Sequence, residues 1–113
     1  IPLEFMMVWV FGRAGWVVDS AKPVELGDFK RVSFLARSPR GRKAVFISAS
    51  GETDREAREQ GMEAYGHVAS SLPQEIPAYL VTLSQENEGT LKKGEPGVVR
   101  LHYLPRLLVS LSR

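Results

Sequence analysis

Cysteine is missing from the chain, and with it go disulfides, Cys-ligated zinc, iron–sulfur clusters and thiol nucleophiles. Asparagine occurs once, at Asn87, and glutamine three times. Such scarcity of thermolabile side chains points to a thermophilic source. The longest apolar run is Phe5–Phe11, far short of the roughly 20 residues a membrane helix needs, so no transmembrane span is expected. Nothing resembles a signal or transit peptide, and Ile1 in place of Met suggests a trimmed N-terminus; a cytoplasmic location is expected. There is no Gly-rich phosphate loop, Ser nucleophile elbow or metal-binding motif. His67 and His102 have no compact set of Cys or carboxylate residues around them. Glu52, Glu56, Glu59 and Glu63 alternate with Arg55 and Arg58 at helical spacing, the pattern of a solvated, ion-paired helix face. A non-enzyme with no metal and no cofactor is therefore expected.

What is present is a balance of 43% hydrophobic and 25% charged residues over 113 positions, which suits one globular domain covering residues 1–113. The net charge of +2 is unevenly spread. Residues 1–50 carry +4, residues 51–77 carry −4 and residues 78–113 carry +2. The basic front is the part suited to a polyanion.

Residues 3–11 are rich in aromatic and β-branched types and read as a strand, followed by a turn at Gly12-Arg13-Ala14-Gly15 and a second strand starting at Trp16. A loop with a short edge strand near Val24–Leu26 leads to a hairpin of Phe29–Arg37 and Arg42–Ser50 around Ser38-Pro39-Arg40-Gly41. Thr53-Asp54-Arg55-Glu56 matches a capping box, and the apolar spacing predicts a helix from about Asp54 to Ser71, ended by Pro73. Ala78–Ser84 and Val98–Leu104 read as strands separated by a loop at 85–97, and Leu107–Leu111 as a final strand-like extension. The expected fold class is α+β: an antiparallel sheet with one long amphipathic helix packed on one face.

The hairpin carries the functional expectation. With Arg37 opposite Arg42, the pairs Leu35–Ala44, Ser33–Phe46, Arg31–Ser48 and Phe29–Ser50 share one face, while Val32, Phe34, Val45 and Ile47 face the helix. Cations interleaved with rings on a sheet suit single-stranded nucleic acid, where bases stack and phosphates meet Arg and Lys. The first strand adds an aromatic row without an obvious cover. Trp9, Phe11, Trp16, Phe29 and Phe46 are expected to stack bases. Arg13, Lys30, Arg31, Arg37, Arg40, Arg42 and Lys43 are expected to line the rim and neutralise phosphate. The alternatives are an RNA-binding protein, or an assembly subunit whose apolar sheet face is a partner or dimer interface.

The aromatic-rich segment Phe5–Phe11, the hairpin Phe29–Ser50 and the helix opening at Thr53-Asp54-Arg55-Glu56 give this chain an element order that resembles the ThermoDBP family, over about half its length. That family comprises archaeal single-stranded DNA-binding proteins with a hydrophobic, basic-edged cleft in place of an OB fold. The resemblance implies an archaeal source, DNA as the preferred strand and a homo-oligomer.

Overall fold

The computed structural model describes residues 2–25, 30–49, 61–83 and 97–113. The chain is α+β. A helix α1 (Leu3–Arg13) precedes three strands, β1 (Val17–Val24), β2 (Arg31–Arg37) and β3 (Lys43–Ser48). Helix α2 (Gly61–Ser70) leads to β4 (Ala78–Thr82). Strand β5 (Gly97–Arg100) runs through a single 3₁₀ turn (Leu101–Tyr103) into helix α3 (Leu104–Leu111). The five strands lie in sequence order. β1, β2 and β3 form an antiparallel meander, whereas β3–β4 and β4–β5 are parallel. The sheet is therefore mixed and not antiparallel throughout. A parallel neighbour cannot be reached by a tight turn, and α2 lies on the crossover from β3 to β4.

Three helices of 11, 10 and 8 residues replace the expected single long one among the described residues. The capping box at Thr53–Glu56 and the first half of the expected helix lie outside the described residues. Among those described, no helix is long and apolar enough to cross a membrane.

Residues 3–11 are helical, against the expected strand. Every side chain from Phe5 to Phe11 is apolar, so alternation and helical periodicity are both satisfied and the pattern cannot choose between them. Tertiary packing chooses. Leu3, Met7, Val10 and Phe11 form a buried stripe at helical spacing that docks on the sheet. The C-terminal extension is also helical. Pro105 falls in the first turn of α3, where the missing N–H removes no intrahelical bond, and Leu104 and Leu108 are buried one turn apart. The strand expected over Val98–Leu104 ends at Arg100, where the 3₁₀ turn begins. The edge strand near Val24 is the end of the longer β1, whose pairing slips between Val18 and Ser20.

The hairpin forms, but one residue out of the expected register. Arg37 faces Lys43, Ala36 faces Ala44, Leu35 faces Val45, Phe34 faces Phe46 and Ser33 faces Ile47. The cause lies in the turn. Ser38 and Arg42 close it by the bond from Ser38 N–H to the Arg42 carbonyl (2.8 Å), leaving three residues in the loop where four were expected. Gly41 holds φ +86°, the left-handed conformation that ends such three-residue loops. A one-residue slip sends every β3 side chain to the other face. Phe46 and Ala44 thus join Phe34 and Ala36.

Both sheet faces are covered, where one had been expected to lie open. On one face α1 and α3 enclose Trp16, Phe34, Phe46 and Val81. On the other, Tyr65 and Val68 of α2, with Leu72 and Ile76, pack on Val45, Ile47, Leu80 and Val98. Phe46 is fully buried, its ring centroid 5.0 Å from Phe11, 6.0 Å from Trp16 and 5.6 Å from Tyr79, the last a stacked pair.

Tyr79 lies directly over Gly97 of β5. An added Cβ there would come within 2.6 Å of Tyr79 Cδ1. The ring is backed by Phe46 and has little room to retreat. Gly97→Ala is expected to destabilise the fold by about 1–3 kcal/mol, the range for overpacking, as read by urea denaturation. Burial also pushes the Tyr79 phenol above its ordinary value of 10.0, and the neighbouring Tyr65 adds to the rise. The unfolded chain therefore loses this proton first as pH climbs. The stability contributed by the neutral phenol is complete below pH 10.0 and is lost as pH rises through the higher folded value. Denaturation midpoints should fall above about pH 10, and Tyr79→Phe should remove part of that slope.

Candidate nucleic-acid interface

The β2–β3 turn is held by its own hydrogen bonds. Ser38 is buried. Its Oγ accepts the backbone N–H of Arg40 (3.2 Å) and of Arg42 (3.0 Å), while its carbonyl accepts Gly41 N–H (2.9 Å). Polar groups that water would otherwise satisfy are thereby paired internally, and the backbone under three cations is rigid. Arg40, Arg42 and Lys43 are all exposed. Arg37 is committed elsewhere, its guanidinium donating to both carboxylate oxygens of Asp19 at 3.3 Å. Asp19 sits at the β1 irregularity. Among the described residues, this is the ion pair at the basic end of the sheet.

Helix α1 brings a ring to the same end. The turn that follows it lies against the hairpin tip, where a Cβ on Gly15 would lie 3.2 Å from Pro39 Cγ. Trp9 is 66% exposed. The Arg13 guanidinium lies 5.5 Å from the centre of its ring, one helical turn on. Phe5, a turn earlier, is 69% exposed. The outer face of α1 is thus a ladder of Phe5, Trp9 and Arg13 that descends toward the basic turn, with Val8 beside it.

Twelve residues were expected in the site. Trp9 and Arg13 lie exposed on the helix whose following turn meets the hairpin tip, Arg40, Arg42 and Lys43 lie exposed at that tip, and Arg37 is held in its ion pair. Phe11, Trp16 and Phe46 do not reach the surface; all three belong to the core beneath α1 and α3. The register slip accounts for Phe46 and the helical state of residues 3–13 for Phe11. Trp16, which follows the helix, turns inward and donates its indole N–H to Ser112 Oγ at 3.2 Å. Arg31 is buried at the far end of β2, and the exposed Lys30 precedes it there, roughly 20 Å of strand from the tip. Phe29 lies outside the described residues. The strand reading missed Phe5 as a companion of Trp9 and Arg13. Their i, i+4, i+8 spacing was the available signal.

Two clefts flank the sheet. One, of about 570 Å³, lies beside the basic turn between Trp16, Ile76 and Leu111. The other, of about 520 Å³, runs between β1 and α2 over Leu35 and Val45, with Lys22 and His67 at its rim. No family model, curated protein or solved structure matches the chain.

The turn makes its own prediction. Ser38→Ala removes one acceptor from two backbone donors. The expected loss is about 1–2 kcal/mol, with faster amide exchange at Arg40 and Arg42 than elsewhere in the hairpin.

Proposed function

We propose that this chain is a non-catalytic protein that binds single-stranded DNA with little base readout, at the end of the molecule where α1 meets the β2–β3 turn. One observation carries the reading: an exposed indole under a guanidinium lies on the helix whose following turn meets the hairpin tip, and that tip carries three exposed cations. Trp9 offers a stacking face open to any base, with Phe5 beyond it. Arg13, Arg40, Arg42 and Lys43 offer charge to the phosphates that follow. The two chemistries sit on neighbouring elements, so one strand can meet both. DNA is taken as the strand on the resemblance to the ThermoDBP family; RNA presents the same bases and phosphates and belongs in the test. Protection of unpaired strands by such a protein belongs in the cytoplasm.

A second reading has its own observation. Helix α1 is apolar on both sides, and Phe5, Val8 and Trp9 lie exposed on the outer one. A homo-oligomer seam along that face would make the chain an assembly subunit.

The two readings part on Trp9. Oligo-dT should quench its fluorescence, and the signal should vanish in Trp9→Ala while circular dichroism stays unchanged. That variant should bind about 1–3 kcal/mol more weakly. Four phosphate contacts should give a slope of log K on log salt of roughly −3, and replacing Arg40 and Arg42 together should flatten it by about 1.4. If Trp9→Ala leaves affinity intact and instead dissociates an oligomer in sedimentation, the assembly reading holds. Trp16 is the internal contrast. Being core, Trp16→Ala should cost about 3–5 kcal/mol of stability.

A further inference from the structure

The cleft beside the basic turn has a divided lining. Ile76, Pro77 and Leu111, all half-buried, give it carbon surface above the buried Trp16 and Ala44, while Arg42, Lys43 and Glu75 supply charge. The indole N–H of Trp16 is already donated to Ser112, so it offers a ligand no donor. Arg42, Lys43 and Glu75 are exposed. Among the described residues they form no ion pair with one another, so the cleft presents both signs of charge. The volume, about 570 Å³, falls within the span of roughly 300–1,000 Å³ usual for small-molecule sites.

That lining fits a nucleotide. A planar base can lie against the carbon wall. The carboxylate of Glu75 can accept a hydrogen bond from a base amino group or a sugar hydroxyl. Two adjacent cations suit a phosphate of more than one charge. An internal phosphodiester carries a single negative charge and has chain on both sides. A terminal phosphomonoester carries about −1.5 to −2 at neutral pH and can enter a cleft from one side. Arg42 and Lys43 also belong to the turn across which the strand is taken to run, so cleft and strand path are continuous.

We propose that this cleft seats a phosphorylated terminal nucleotide of the bound strand, making the protein selective for strands that end in a phosphomonoester. The assignment rests on the single-strand-binding reading above.

The test is competition against a fluorescent oligo-dT on the full chain, with four strands of equal length. They are linear with a 5′-phosphate, linear with a 5′-hydroxyl, linear with only a 3′-phosphate, and circular. At least one of the two phosphorylated strands should compete about tenfold better than the 5′-hydroxyl and circular strands, the worth of one charge-assisted hydrogen bond to a dianion, and the comparison of the 3′- with the 5′-phosphorylated strand gives the polarity. Arg42→Ala and Lys43→Ala, both at exposed positions, should each erase that preference. Ile76→Trp, which fills the cleft, should erase it without removing a charge. Equal competition by all four strands would overturn the end pocket and leave strand binding standing. Competition by none of the four would overturn the strand-binding reading itself.

Discussion

The ring of Phe46 is the contact on which the rest of the molecule depends. It touches Phe11 from α1, Trp16 from the turn that follows and Tyr79 from β4. Three separate parts of the chain are thereby tied to one side chain in the middle of the sheet. Its position follows from a few atoms at the hairpin tip. Gly41 in the left-handed conformation closes a three-residue loop, Ser38 pairs with Arg42, and the register this imposes turns Phe46 toward α1 and α3. A loop one residue longer would place Val45 and Ile47 on that face. The aromatic cluster would then lose its centre.

Much of the sheet was legible in the sequence. The hairpin, β4 and α2 are where alternation, turn residues and proline stops place them, because each depends on local chemistry. Three features were not legible, for one shared reason. Residues 3–11 contain apolar side chains at both periods, Leu104–Leu111 carries a proline that can start a helix as well as interrupt a strand, and the β2–β3 register turns on a single loop residue. In each case two local structures were nearly balanced and long-range packing decided. The parallel pairing of β3 with β4 belongs with them, since only the finished sheet fixes it.

The candidate site divides along the same line. Arg40, Arg42 and Lys43 were legible because charged residues at a hairpin tip stay in water whatever the register. The rings were not, since a ring is core or platform according to which face it takes. Trp9 and Trp16 illustrate this. They are seven residues apart and alike in chemistry, yet Trp9 is two-thirds exposed and Trp16 is 4% exposed. The polar outer ends of strands can thus be read from composition, whereas aromatic surfaces need the fold.

The pairing of α1 with α3 has a consequence for how the protein is made. Leu3, Met7 and Phe11 are completed by Leu104 and Leu108, and the Trp16–Ser112 bond spans 96 positions. The meander of β1, β2 and β3 can assemble from neighbours, but the cover of its inner face brings together the two extremes of the described chain. Closing so long a loop is slow compared with forming a hairpin. During synthesis α1 therefore emerges with neither side covered and waits until α3 has left the ribosome. The interval before α3 docks is when this chain is most exposed to aggregation and most in need of a chaperone.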